Sequence, residues 1–458
     1  MSESVPVTAV ATDLDARDSA APYLARVDFV VELARRLHMY GTSAQRLEGA
    51  VNQVAQRLQV EADVWSNPTG LILSFPDPER GPGHSLTRVI RLEPGEENLG
   101  RLAAADGIAE DVLAGRRHIA DGLVAMRALD RPDSRHARPW AILSFGLASA
   151  SVTGLMRNAG WADLVTAATL GTMIGLLTEF SHARPRLAEA HEAMSAFLAT
   201  LLATAVATFV APLALQNVII AALIVLMPGL SLTTAVSELT SRQLVSGTTR
   251  FAGALTVLLK LTFGAVAATQ VVALLGWTPM ANAGPALPDW MPWLTLLAGS
   301  FAFAVLFKAA RRDVLLVMAS VWLGFLVTRL AQLLPGTAQN TLPAGVFIAG
   351  MVVTAVSNWY GQRFNRPGAL IRVPGIILLV PGSLGFRSFN FVFERDVMLG
   401  LDTAFSVVTA LIALVAGILF GNLLVPPRRG TAQSIGGRSN TSTSASLPPS
   451  MLTSDSSR

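Results

Sequence analysis

MPGLSLTTAVSELTSRQLVSGTTRF, residues 227–251, sets a Pro-Gly pair inside an apolar run and follows it with hydroxyls, one acid and two bases. LLVPGSLGFRSF, residues 378–389, repeats that opening 153 positions later. The same shift lays Pro139-Trp140 on Pro292-Trp293, Gly146 on Gly299, Gly247 on Gly400 and Gly264 on Gly417. One register therefore relates two long segments. Both consist of apolar stretches near the roughly 20 residues that cross about 30 Å of hydrocarbon. The stretches fall at 140–156, 162–179, 194–212, 215–240, 250–275, 291–308, 313–331, 343–360, 370–393 and 400–424. Each copy holds five. Because five is odd, the second copy must enter the bilayer with the opposite orientation, an inverted repeat typical of secondary transporters. Basic residues set the direction, since positive loops stay in the cytoplasm. Arg184, Arg186, Arg242, Arg250, Lys308, Arg311, Arg312, Arg363, Arg366 and Arg372 lie on one side, and Arg157, Arg387 and Arg395 on the other. The expected fold is a multi-pass α-helical membrane protein of ten spans, with both termini cytoplasmic in a bacterial inner membrane.

Composition agrees with that layout. Of 458 residues, 14% are charged and 52% apolar, against about 25% charged in an ordinary globular domain. Residues 1–138 hold 20 of the 31 acids, whereas 139–424 hold only 10. The polar first part reads as a small α/β domain. Apolar spacing predicts helices over 24–39, 44–59, 98–115 and 118–129, with strands at 62–66, 70–75 and 86–92. Thr42 or Ser43 is the expected N-cap of the second helix. The expected divisions are a tail at 1–22, the α/β domain at 23–138, membrane repeats at 139–275 and 291–425, an external linker at 276–290 and a Ser/Thr-rich tail at 426–458. Met1 to Ala21 lacks the basic and apolar regions of a signal peptide.

Several chemistries are excluded or unsupported. The chain has no cysteine, and its six histidines form no metal-spaced pair. Phosphate-binding glycine loops are absent, so no cofactor or ATP hydrolysis is expected. A net charge of +4 is no nucleic-acid footprint. Asp28, His38 and Ser43 are near in sequence, but no nucleophile elbow surrounds the serine. The candidate site is instead the pair of breaks. Proline removes a backbone donor and glycine weakens the helix, so Pro228-Gly229 and Pro381-Gly382 should interrupt their spans. Freed N–H groups at the new helix starts suit an anion, with Ser231, Thr233, Thr234 and Ser383 beside them. A packing kink is the competing explanation. Glu238 and Lys260 are the candidates for proton coupling, because an ionisable group within a span normally has a partner or a task. Asn217 and Asn358 fit bridges between helices, and Gly171 with Gly175 fits close helix packing.

Three stretches resemble one known family, the threonine/serine exporters. They are FVVELARRLHMYGTSAQRLEGAVNQVAQRLQV (29–60) followed by SNPTGLILSF (66–75), the 227–251 stretch, and LLVPGSLGFRSF. The similarity covers about 25–425. The family's Pro-Gly, acid, Ser-Gly, Arg succession falls here on Pro228, Gly229, Glu238, Ser246, Gly247 and Arg250, with Glu238 where Asp is expected. Lys260 matches no position of that pattern. The resemblance implies a proton-driven exporter of small polar metabolites, threonine or serine first and dicarboxylates as the alternative, whose partners are protons and the lipid bilayer. A membrane-anchored hydrolase or a channel are rivals of other classes. A homo-oligomer is left open by the sequence.

Overall fold

The computed structural model describes residues 22–77, 81, 83–130, 137–156, 159–182, 184–280, 286–331, 333 and 343–427. Residues 1–21 and 428–458, which make up nearly all of both expected tails, and parts of the linkers at 131–136 and 281–285, lie outside the described residues. The N-terminal domain runs α1 (Tyr23–Met39), α2 (Ala44–Arg57), β1 (Asp63–Asn67), β2 (Gly70–Pro76), β3 (Ser85–Arg91), α3 (Leu99–Leu113) and α4 (Ile119–Ala128). Its sheet is an antiparallel meander in the order β1-β2-β3, with Trp65 opposite Ile72 and Ile72 opposite Val89. Alternation along the central strand turns Leu71, Leu73 and Phe75 inward onto Val27, Phe29, Val30 and Leu33 of α1. The Asn67 side chain accepts from the Thr69 backbone N–H at 3.0 Å and holds the tight β1–β2 turn.

The helical region follows as α5 (Ala137–Leu155), α6 (Trp161–Ser181), α7 (Pro185–Phe209), α8 (Leu215–Leu223), α9 (Gly229–Thr240), α10 (Leu244–Leu274), α11 (Met291–Leu306), α12 (Val314–Ala331), α13 (Ala344–Phe364), α14 (Ala369–Ile376), α15 (Gly382–Phe393) and α16 (Val397–Leu424). Each apolar stretch of the sequence is thus a helix or a broken helix pair. Among the described residues, six helices are long and apolar enough to cross a membrane, and a seventh span arises if the pair Leu215–Leu226 and Gly229–Thr240, bent by 59°, counts as one. Phe263, Leu315, Phe405 and Ile412 stand exposed on their outer surfaces, as lipid-facing side chains do. Exposed Trp140, Trp161, Trp290 and Trp293 cluster at helix starts, the position that suits an aromatic belt.

Close approach of backbones organises this region. Gly171 and Gly175 of α6 meet α5 at Ser149 and Phe145. Helix α5 leaves the N-terminal domain and ends where Leu287 donates to the Ala159 carbonyl, at the start of α11. Helix α11 then returns, so the two helices run antiparallel through the contacts Ser151–Gly299 and Gly154–Thr295. At its far end the Leu99 and Gly100 N–H groups of α3 donate to the Phe307 and Lys308 carbonyls at 2.9 and 3.1 Å. The unsatisfied donors of one helix start thereby meet the unsatisfied acceptors of another helix end. The N-terminal domain also shares its core with Phe303, Phe307, Leu370 and Ile371 of the helical region.

The 153-residue register reappears in the backbone. Pro228 has φ −80° and ψ 42°, and Pro381 has φ −82° and ψ 39°. Each precedes a helix of 12 residues, and each helix ends at an arginine of positive φ, 65° at Arg242 and 69° at Arg395. Gly247 meets Ala235 and Leu239 as Gly400 meets Ser388 and Val392. Both interruptions are wider than a Pro-Gly pair: α8 ends at Leu223 and a 3-10 turn covers Ile224–Leu226 before Pro228, while α14 ends at Ile376 and α-helix resumes only after Pro381.

Candidate functional site

The two breaks meet. A Cβ built on Gly382 would lie 3.2 Å from the Gly229 Cα, and one on Gly229 would lie 3.4 Å from the Gly382 Cα. Only glycine allows that contact at both positions. Each break is closed by a three-residue turn, in which the Gly229 N–H donates to the Met227 carbonyl at 2.8 Å and the Gly382 N–H to Val380 at 3.0 Å. Regular helix bonding resumes at Leu232, which donates to Pro228, and at Gly385, which donates to Pro381. Between them the N–H groups of Leu230, Ser231, Ser383 and Leu384 find no acceptor among the described residues. Four unmatched donors thus lie on two abutting helix starts flanked by apolar helices.

Side chains predicted for this site divide into two groups. Ser231, Thr234 and Ser383 are half-buried beside the breaks. The buried Thr233 hydroxyl donates to the Gly229 carbonyl at 3.1 Å, so it serves its own helix. Glu238 is elsewhere. It lies at the other end of α9, about 13 Å from Gly229 at 1.5 Å per residue. Lys260 of α10 donates to the Glu189 carbonyl at 2.9 Å and pairs with Glu192 of α7 at 3.5 Å. Asn358 bridges helices as expected, donating to Asn422 and to the Val425 carbonyl, both at 2.8 Å. Asn217 accepts from Arg387 at 2.9 Å, a link between α8 and α15 that no sequence spacing announced.

Glu238 instead joins the N-terminal domain to the helical region. Only 2% exposed, it accepts from the Ala44 N–H at 3.0 Å, from the Ser246 hydroxyl at 3.0 Å and from Arg250 Nε at 3.2 Å. Ser43 occupies the N-cap position of α2 but makes no side-chain cap bond. The carboxylate of Glu238 caps that helix from 194 residues away. Beside it, Glu48 of α2 accepts from the Ser66 N–H at 2.9 Å and from the Gln243 amide at 2.6 Å. Burial raises the Glu48 carboxyl above its ordinary range and the nearby Glu238 charge adds to the rise, against those two hydrogen bonds. A cavity of about 10 Å³, room for one water, separates His38, Thr42 and Asn67 from Ser246 and Arg250. Burial pushes the His38 imidazole below its ordinary value, and its Nε2 lies 3.2 Å from the Glu93 carbonyl. No hydrogen bond among the described residues joins His38 to Asp28 or Ser43.

All three stretches of family resemblance converge on these two places, the joint and the breaks. Residues 28–272 match a family model described as "Putative threonine/serine exporter", and residues 293–424 match a second described as "Threonine/Serine exporter, ThrE". The chain belongs to the threonine/serine exporter family. That is a family of membrane transporters. Pheromone-regulated membrane protein 10 of Candida albicans is 25% identical over 400 residues, which cover 84% of this chain and 34% of that protein. Its namesake in Eremothecium gossypii is 23% identical over 381 residues, covering 80% of this chain and 50% of the relative. An uncharacterized Schizosaccharomyces pombe protein is 23% identical over 396 residues, 83% of this chain and 45% of its own length. The chain therefore spans between about a third and a half of these relatives. No solved structure matches it.

Proposed function

We propose that this transporter is a proton-coupled secondary exporter whose cargo is a small polar metabolite, threonine or serine first. The observation that carries this reading is the set of four unmatched N–H donors at the abutting Pro-Gly breaks. Such donors cost several kcal/mol each in an apolar region unless an acceptor arrives. An amino-acid carboxylate supplies one, and the half-buried Ser231, Thr234 and Ser383 supply further polar contacts. The antiparallel course of α5 and α11, equivalent helices in the 153-residue register, supports an inverted repeat of ten spans. In that arrangement the N-terminal domain is cytosolic and both termini lie on its side, in the plasma membrane of a bacterium.

Glu238 has a distinct task in this reading. It holds α2 of the N-terminal domain onto α9 and α10, so a proton on its carboxylate weakens the bond to Arg250 and releases the domain from the mouth of the bundle. The domain thus acts as a gate and Glu238 as its latch, while Lys260, paired with Glu192, is the other proton-coupling candidate. Counterflow in proteoliposomes tests the function. Labelled serine or threonine should accumulate against unlabelled amino acid, and a proton gradient should drive it. Exchange of succinate but of neither amino acid would transfer the assignment to dicarboxylates, simple equilibration would mean a channel, and consumption of solute would mean an enzyme.

A further inference from the structure

The helices that leave the two breaks carry opposite charges. Helix α9 leaves the first break and carries Glu238 near its end, bonded to Ala44 of the N-terminal domain. Helix α15 leaves the second break and carries Arg387, the sixth residue of its helix, where α9 has Thr234. The Arg387 Nη2 donates to the Asn217 Oδ1 at 2.9 Å. Asn217 stands near the start of α8, which is tied to the start of α6, because Asp163 accepts from the Gly160 and Ala214 N–H groups, both at 2.8 Å. Helix α6 begins only after α5 has run its length away from the N-terminal domain. Arg387 therefore lies beyond the breaks as seen from that domain, about 7.5 Å along α15 from Gly382.

Its surroundings are apolar. Phe386 is fully buried in one cluster with Leu223, Met227 and Leu258, and Phe389 packs on that cluster. Among the described residues Arg387 forms no ion pair, and the neutral Asn217 is its one hydrogen-bond partner. That bond uses one of the five guanidinium donors. The side chain keeps intermediate exposure, so protein does not seal it. One turn further along α15, the Asn390 Oδ1 is buried with no hydrogen-bond partner. A charge within an apolar span has a partner or a task. A carboxylate answers to this geometry, because it accepts two parallel N–H···O bonds from a guanidinium and neutralises it. We propose that Arg387, oriented by Asn217, binds the cargo's carboxylate on the side of the breaks away from the N-terminal domain. The proposal rests on the exporter reading for the direction of travel, in which cargo leaving the breaks passes to Arg387. Carboxylate binding itself requires no transport.

Thiol labelling reads occupancy at the site itself, because the chain has no cysteine. In proteoliposomes of the full chain, Asn217→Cys and, as a second reporter, Asn390→Cys should react with an impermeant reagent from the face opposite the N-terminal domain. L-Serine and succinate should slow that reaction saturably. Adding Arg387→Gln should raise the concentration for half-protection tenfold to a hundredfold, the effect of one charge-assisted hydrogen bond. Arg387→Lys, which keeps the charge without the planar fork, should fall between. Both variants should unfold at similar temperatures without ligand, so the contrast between them reports charge rather than folding. The proposal is overturned if neither reporter is labelled, if neither carboxylate protects, if Arg387→Gln is protected as wild type is, or if inorganic phosphate alone protects. Counterflow on the same preparation separates the two readings. Arg387-dependent protection without any exchange keeps the site and sinks the exporter, whereas exchange with protection indifferent to Arg387 does the reverse.

Discussion

Replacing Gly382 by alanine probes the meeting of the breaks. The new methyl would sit 3.2 Å from the Gly229 Cα, 3.3 Å from the Gly229 N and 3.4 Å from the Met227 Cβ. None of these atoms is the mobile end of a side chain, so no rotamer change relieves the contact. The helix starts must separate by a few tenths of an ångström. Overpacking of this kind costs about 1–3 kcal/mol. The helix preference of alanine over glycine returns at most about 1 kcal/mol, so with the full return the net loss is at most about 2 kcal/mol. Gly229→Ala meets the Val380 side chain as well as Gly382, so the two substitutions share one contact and their costs should not add. Gly253→Ala is the control, since its methyl meets nothing within 4 Å. Thermal unfolding of the purified protein should place Gly382→Ala below wild type and Gly253→Ala at or above it. A Gly382→Ala midpoint equal to the control would mean that the breaks do not touch.

Glu238→Gln should loosen the N-terminal domain by about 1.5–3 kcal/mol, read as faster protease cleavage between the domain and α5, while Glu238→Asp retains part of the bond. Protection of α2 unchanged in Glu238→Gln would remove the latch. Asp313→Asn should cost about 1–2 kcal/mol in thermal unfolding, because a buried carboxylate and both arms of the Arg366 bond are weakened together. His38 carries a pH dependence. Its folded pKa is depressed by burial, so below the ordinary 6.5 the unfolded chain binds more protons than the folded one. Stability should therefore fall as pH drops through that value, and His38→Gln should flatten the slope. Single cysteines at 241–249 and 394–399 should label from opposite faces of the membrane with an impermeant thiol reagent; labelling from one face would break the inverted arrangement.

Much of the fold was legible because it rests on local rules. The α/β domain's helices and strands fall within two residues of their apolar periodicity, as at 44–57 and 70–76. The breaks were legible from proline and glycine alone. What sequence could not give was the partner of each charge. Glu238 lies in an apolar stretch near one break, which suggested a solute contact, but helix rise carries it away to Ala44. That pairing spans 194 residues, and only the docking of the two domains creates it. That docking also joins the core of the N-terminal domain to Phe303, Phe307 and Ile371.

The account stands on the claim that the abutting helix starts hold the cargo's carboxylate. Serine counterflow by Pro228→Ala/Gly229→Ala, which restores helix continuity and fills the N–H groups of the first break, measures this most directly. At equal insertion into proteoliposomes, the variant should need at least tenfold more serine for half-saturation than wild type, the value of one charge-assisted hydrogen bond. Wild-type half-saturation in that variant would show that the breaks are packing kinks and that cargo binds elsewhere.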